Sequence, residues 1–570
     1  MTNYSGYMGK VALLDLSEGE VRDYPWSDED RRQYIGGKAM AEKLLADVLK
    51  GKTDALSPES PIVIATGPLT GTGAPCSNHF FVAALSPLGG GISVSGCGGD
   101  FGLYLKKAGF DALVIKGKCE NPTWIVMKND KLSFNDCGDM WGMELSAAQE
   151  EMKKRLDEQR NCNVKCGMLC IGPAGENLVP FASVASGERD VIHCDLGAVF
   201  GSKNLKGIVA TGNNDVPVAD RPSAVKSRVD WIAALRRHPL TGDLLPVMGT
   251  AGFVPKLQSA GLLPVKNYSA GTSDRASEIG GESFAKDHNI GCTGCTYCPI
   301  KCERLMRNDL GTLMGPGLEA MVLLGSNIQN YDVNLIIKWS RKLHELGLDL
   351  RTAANVLAQA MDEGGHGVAF GKSEGVCELF SEIASGEAVE LAKAAVETPR
   401  LDLEALAVGS YIGEASATAQ LWAELNEAVA SCGQCEKLLY SEIPAWLVKK
   451  DGTAAAFIAR KLMPVAVALL RIAGKLPESV GLSLPMSAFA TEMKHSVGME
   501  LSLDDFLTAG KNGIEAAKTL GGEDTKVVLP KGLTSLSKAL PFAIKLPTLD
   551  EIKSGALRLP DITGLFARKA

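Results

Sequence analysis

The sequence predicts an α+β protein: a sheet-rich N-terminal part over residues 1–214, followed by two mainly helical parts over 215–400 and 401–570. Three observations carry this. Short apolar runs of strand length, many edged by glycine, recur from Lys10 to Ala210. Asn213-Asn214-Asp215-Val216-Pro217 then reads as a boundary. Beyond it, apolar residues return at helical spacing with few strand signals.

Taken in order, residues 10–16 alternate as a strand does, and Glu18-Gly19-Glu20 turns into 21–24, giving an opening hairpin. Ser27 caps a helix whose first turn holds Asp28, Glu29 and Asp30, with its end expected near Gly36-Gly37. A buried strand at 62–65 runs into the glycine loop Thr66-Gly-Pro-Leu-Thr-Gly-Thr72, a common place to receive a ligand. A strand at 80–85 follows. Next comes the glycine-rich stretch from Gly89 to Gly102, which leads to a helix at 103–108. Its glycines let main-chain N–H groups approach a phosphate, or simply form tight sheet turns. The dinucleotide motif fails, because Phe101 stands where its third glycine belongs.

Further strands are expected at 112–115, 124–127, around Ile171, at 179–184 and at 208–210, with a helix at 146–156. In the second part helices are expected at 224–235, 321–326, 333–346, 351–361, 376–384 and 388–396, and in the third at 417–429 and 503–520. Ser502 and Asp505 form a capping box ahead of the last. No repeat of fixed period and no low-complexity segment is found.

A net charge of −8 and the absence of a basic run argue against a nucleic-acid surface. The N-terminus lacks a charged segment followed by an apolar core, and the most apolar stretch, 462–470, is too short to span a bilayer. With 15 cysteines in so long a chain, the expectation is a reducing, cytoplasmic compartment rather than disulfides.

The chemistry concentrates in Cys292-Thr-Gly-Cys295-Thr-Tyr-Cys298-Pro-Ile-Lys-Cys302, four thiols spaced two, two and three residues apart. The spacing is that of ferredoxin-type runs, in which three cysteines hold a [4Fe–4S] cluster and a remote one completes it. Four thiolates also suit tetrahedral zinc, although zinc sites usually draw two pairs from separate knuckles.

Several motifs together resemble the aldehyde ferredoxin oxidoreductase family. They include Tyr34-Ile-Gly-Gly37, Thr66-Gly-Pro-Leu-Thr-Gly-Thr72, Ser86-Pro-Leu88, Gly98-Gly99-x-Phe101-Gly102, Lys106-x-Ala108-Gly-Phe-Asp111 and Trp141-Gly142. Ile171-Gly-Pro-Ala-Gly-Glu-Asn177, Gly197-Ala-Val-Phe-Gly-Ser-Lys-Asn-Leu-Lys206, the cysteine run and His344-Glu-Leu-Gly-Leu-Asp349 complete the set. The resemblance covers nearly the whole chain. It implies tungsten, or molybdenum, on two pterins beside one [4Fe–4S] cluster, with Mg²⁺ bridging the pterin phosphates and the cofactors at the interface of the three parts.

By the family pattern Cys295, Cys298, Cys302 and the remote Cys435 hold the cluster, while the local alternative uses Cys292 instead of Cys435. Cofactor contacts are implied at Gly98 and Gly99, at His344, Gly347, Leu348 and Asp349 of one pterin loop, and at Gly433 of the other. Both leading aspartates of those loops are missing: His344 and Ala430 stand in their places. His79 and His193 stand where the family usually has arginines. Glu319 keeps a carboxylate at the position of the family's catalytic segment, as a general base, whereas the family's histidine has no counterpart among residues 411–422.

The resemblance implies oxidation of an aldehyde to a carboxylic acid, with electrons passed to a ferredoxin or an iron–sulfur subunit, in a homodimer or larger complex. Two alternatives remain: the same cofactor running a different low-potential reaction, as in benzoyl-CoA reductase subunits, or an electron-relay subunit that has lost the pterin metal.

Overall fold

The computed structural model describes residues 2–89, 91–190, 195–308, 311–388, 401–412, 416–443 and 486–521, with isolated positions between them. The hairpin forms as β1 (Val11–Asp15) and β2 (Glu20–Asp23). Ser27 caps α1 (Asp28–Tyr34) reciprocally: its hydroxyl accepts from the Asp30 N–H, and the Asp30 carboxylate accepts from the Ser27 N–H. Gly36-Gly37, expected to end that helix, also begins another, α2 (Gly37–Val48). The glycines serve a close approach, because a Cβ on Gly37 would collide with the Ala430 carbonyl oxygen.

Then follow β3 (Ile62–Thr66), β4 (Phe80–Leu85), β5 (Ile92–Cys97), α3 (Phe101–Lys107) and β6 (Ala112–Lys116), making a six-stranded sheet in the order β2-β1-β6-β3-β4-β5. The second sheet is built from β7 (Thr123–Lys128), β8 (Lys131–Asp136), α4 (Leu145–Arg160), β9 (Gly167–Ile171), β10 (Val184–Ser186), β11 (Arg189–Asp190) and β12 (Leu205–Thr211). Its order is β11-β10-β9-β12-β7-β8. Read from the opposite edge, this is the plan of the first sheet. In each, the opening hairpin lies at one edge, the sixth strand pairs parallel with the first, and all other pairs are antiparallel. The N-terminal part is therefore a structural duplication.

Alternation along β3 divides the core. Ile62 and Ile64 join Phe80, Leu113, Ile125, Leu169 and Ile208 in a cluster shared by both sheets, while Val63 and Ala65 pack with Met40 and Leu44 of α2. Each such fully buried aliphatic or aromatic side chain contributes about 1.5–3 kcal/mol of apolar burial. Only Val184 of the expected strand at 179–184 lies in a strand; Ala182 instead makes an isolated bridge to Leu348. That apolar run is buried because it receives a loop from the helical part.

The helical expectation holds for α5 (Arg221–Arg237), but the helix expected at 321–326 lies earlier in the chain, as α6 (Leu318–Leu323), with Ser326–Ile328 in a separate 3-10 turn; it holds again for α7 (Val333–Leu346), α8 (Leu350–Glu363) and α9 (Val376–Ser385). The helix expected at 388–396 lies largely outside the described residues. An unexpected three-stranded sheet carries the cysteine run: β13 (Asn289–Thr293), β14 (Glu303–Asn308) and β15 (Gly311–Met314). In the third part α10 (Leu403–Ile412), α11 (Ser416–Ser431) and α12 (Leu503–Thr519) are helical, and the Ser502–Asp505 capping box is present. Helices α11 and α12 pack on α2. Among the described residues no helix is long and apolar enough to cross a membrane.

Candidate functional site

The duplication gives two equivalent docking points. β3 and β9 each run into a Gly-Pro step, Gly67-Pro68 and Gly172-Pro173, and each glycine receives a loop from the helical part. α7 ends at Gly347, in the left-handed conformation at φ 71°, and a Cβ on Gly172 would collide with the Leu346–Gly347 peptide. Past α11, Gly433 takes φ 82°, and a Cβ on Gly67 would collide with the Cys432–Gly433 peptide. Two residues beyond each glycine the chain is pinned again. The Asp349 N–H donates to the Phe181 carbonyl at 2.9 Å and the Cys435 N–H to the Cys76 carbonyl at 3.0 Å.

These two anchors face one cavity of about 310 Å³, to which all three parts of the chain contribute. Cys295, Cys298, Cys302 and Cys435 all line it, and so do His79, Gly98, Glu319 and Asp349. Cys292 does not: it is exposed on β13, across from Arg304 of β14. Among the described residues, no three Cys, His, Asp or Glu side chains close to the distances of a single metal ion.

The cysteine loop between β13 and β14 is fixed to the first part by polar contacts. The Gly99 N–H donates to Cys295 Sγ at 3.2 Å, Asn78 Nδ2 to the Thr296 carbonyl at 2.8 Å and Thr296 Oγ1 to Asp100 at 2.9 Å. Arg189 of β11 forks onto Glu303, the neighbour of Cys302, with its Nε 2.9 Å from Oε1. Gly98 and Gly99 face the loop: a Cβ on Gly98 would strike Cys295 Sγ and crowd His79 Nε2, and one on Gly99 would press on Arg189. Cys76 also lines the cavity, with its Sγ 3.4 Å from Cys298 Sγ. That hydrogen bond is the largest influence on the Cys298 thiol, bringing it down to about 6, whereas burial pushes Cys76 well up.

Glu319 opens α6. Burial raises its carboxyl above the usual range even though Arg351 of α8 donates to Glu319 Oε1 from Nη2 at 2.7 Å and from Nε at 3.1 Å. Lys437, which also lines the cavity, pairs with Glu404 at 2.9 Å; burial is the largest single influence and opposes its charge, but Glu404 together with Tyr440 and the neighbouring thiols raises its pKa. Asp349 caps α8, its carboxylate accepting from the Thr352 N–H and hydroxyl at 2.9 and 2.7 Å.

His344 is buried in the last turn of α7, with Nδ1 2.8 Å from Asp190 Oδ1. Burial disfavours its charge, yet Asp190 prevails and its pKa is raised. His344 Nε2 is buried with no partner among the described residues. Leu348 lies buried beside it in the bridge to Ala182. His193 falls outside the described residues, between β11 and the turn into residue 195. The sequence reading did not single out Arg189, Arg351 or Lys437. Nothing in their local sequence marks them, since each matters only through a partner more than 30 residues away.

Residues 11–212 match the model of the aldehyde ferredoxin oxidoreductase N-terminal domain, and 226–396 match that of domains 2 and 3 of the same family. The tungsten-containing aldehyde ferredoxin oxidoreductase of Pyrococcus furiosus is 36% identical over 365 residues, which cover 63% of this chain and 60% of that protein. An aliphatic sulfonate oxidoreductase WOR-like subunit of the same organism is 28% identical over 380 residues, covering 62% of this chain and 59% of that one. The chain thus matches about three fifths of the length of these curated relatives. In fold it is similar to the active-site complex BamBC of benzoyl coenzyme A reductase, with a TM-score of 0.68 at 19% identity, covering 98% of this chain and 100% of that one. Two successive family models and the matching motif order establish that the chain belongs to the aldehyde ferredoxin oxidoreductase family.

Proposed function

We propose that the protein is an oxidoreductase holding one [4Fe–4S] cluster on Cys295, Cys298, Cys302 and Cys435, beside a tungsten or molybdenum bis-pterin, and oxidising an aldehyde to its carboxylic acid. The observation that carries this reading is the convergence on one cavity of the cysteine run, Glu319 and the remote Cys435. Three thiols at ferredoxin-type spacing with a remote fourth at the same cavity suit a four-iron cage, whereas zinc sites usually draw two pairs from separate knuckles. Exclusion of Cys292 from the cavity supports the remote Cys435 as fourth ligand.

For the pterins the fit is unequal. His344 offers a buried, unpartnered Nε2 at one loop, whereas Ala430 offers only a methyl group at the equivalent place in the other. When bound, such a metal centre supplies two-electron exchange and Lewis acidity. The chain's own part is to hold the cluster between its sheet and helical parts, orient a substrate within the cavity, and receive a proton at Glu319. The acceptor in this reading is a ferredoxin or an iron–sulfur subunit, since a cluster passes single electrons.

A second reading keeps the cofactors and changes the reaction. It is favoured by the engagement of Glu319 with Arg351 and by the lack of a histidine in 411–422. Metal and pterin analysis of anaerobically purified protein, followed by dye- or ferredoxin-coupled assay on an aldehyde panel, tests both. Roughly four irons with one tungsten or molybdenum per chain and turnover of an aldehyde support the first. The same metals without aldehyde turnover support the second. Iron without heavy metal or pterin, in cells supplied with both, overturns each and leaves an electron-relay subunit.

A further inference from the structure

A fifth thiol stands against the four-cysteine set. Cys76 belongs to the loop after β3 and is 1% exposed, and its Sγ lies 3.4 Å from Cys298 Sγ. It is far in sequence from those four thiols and sits in the left-handed region at φ 55°, a conformation that non-glycine residues adopt uncommonly. Two contacts hold that backbone against the cluster loop's partner segment: the Cys435 N–H donates to the Cys76 carbonyl at 3.0 Å, and Gln434 Nε2 to the Pro75 carbonyl at 2.9 Å. The same segment that supplies the fourth thiol therefore sets the position of the fifth.

The direction of the hydrogen bond follows from the ligand chemistry. A cysteine bound to iron is a thiolate and has no proton to give, so between these two sulfurs only Cys76 can donate. At Cys295 the backbone supplies a comparable donor, the Gly99 N–H at 3.2 Å. Hydrogen bonds to cluster sulfurs withdraw negative charge and favour the reduced, more negative state.

We propose that Cys76 is a positioning residue of the cluster: its S–H donates to the sulfur of Cys298 and raises the reduction potential of the [4Fe–4S] centre without itself binding iron. This rests on the cluster assignment made above. The four thiols at the cavity and the N–H already directed at one of them are the features that fit such a group.

The test is an EPR-monitored redox titration of anaerobically purified full-length protein, with iron content measured alongside, for wild type, Cys76→Ala and Cys76→Ser. The expected result is unchanged iron content in all three, a midpoint shifted to more negative potential in Cys76→Ala, and a midpoint near wild type in Cys76→Ser, whose hydroxyl restores a donor. An iron-loaded Cys76→Ala protein with the wild-type midpoint overturns the proposal. So does loss of the cluster in Cys76→Ala combined with its retention in Cys298→Ala, which would make Cys76 the ligand. If Cys76→Ala fails to fold, an iron-loaded Cys76→Gly protein, which suits the left-handed backbone and equally lacks a donor, is titrated in its place, with the same two outcomes. Wild-type protein without a four-iron cluster defeats the cluster assignment itself, a failure distinct from an unshifted midpoint.

Discussion

Arg351 holds Glu319 at the wall of the cavity through two nitrogens on one oxygen, Nη2 at 2.7 Å and Nε at 3.1 Å. Arg351 is 7% exposed. Removing one member of a buried pair leaves the other uncompensated, at a cost of about 3–5 kcal/mol. Arg351→Met is therefore expected to lower the thermal midpoint strongly, and Arg351→Met with Glu319→Gln to recover much of the loss. Calorimetry on the two variants checks this. Equal destabilisation in both would show that Arg351 acts through its other contacts instead.

The pairing of His344 with Asp190 makes stability depend on pH in a fixed direction. The folded pKa of His344 is raised above the ordinary value of about 6.5. Its contribution is thus fully present below that value and is lost as pH rises through the higher, folded one. The thermal midpoint should fall across this window more steeply in wild type than in Asp190→Asn, which removes the partner. The check is a pH series of melting curves, and parallel curves for the two proteins would refute it.

How much of this could be read from residues alone depended on the range of the forces involved. Ser27 and Ser502 announced their helices because a capping box is local to four residues, and both boxes are present. The apolar period of 333–346 likewise marked α7, whose bounds coincide with it. The sheet β13-β14-β15 was missed because its strands are short and broken by the cysteine loop, so periodicity had little to act on. The duplication escaped notice for a different reason. What the two halves share is strand order and a Gly-Pro step after the third strand, while the residues between have diverged. At the site, the thiols were legible as a spaced run, but the ion pairs of Arg189, Arg351 and Lys437 were not, since pairing across the chain leaves no local pattern.

The division of the cysteines yields a direct expectation. Cys435 lines the cavity with Cys295, Cys298 and Cys302, and Cys292 is exposed on a neighbouring strand. Cys292→Ala should keep its full iron content and EPR signal, and Cys435→Ala should lose iron or fall to a three-iron form. Iron analysis with low-temperature EPR decides between them. The reverse pattern would restore the local set of four.

The two docking glycines allow a paired test of the duplication. At Gly67 and at Gly172 a Cβ would meet the backbone of the incoming loop, which cannot move aside as a side chain can. Gly67→Ala and Gly172→Ala are each expected to cost about 3 kcal/mol, the upper part of the usual range for overpacking. Gly187 has a left-handed φ of 65° with open space about it, so Gly187→Ala should cost only about 1–2 kcal/mol for backbone strain. The two docking variants should also differ from each other in what they disturb. Gly67 abuts the segment that carries Cys435, so Gly67→Ala should lower iron content along with stability. Gly172 abuts the loop that carries His344 and Asp349, so Gly172→Ala should lower stability with iron retained. Chemical denaturation and iron assay on the three proteins measure this, and identical iron loss in both docking variants would mean that the two halves do not act independently on the cavity.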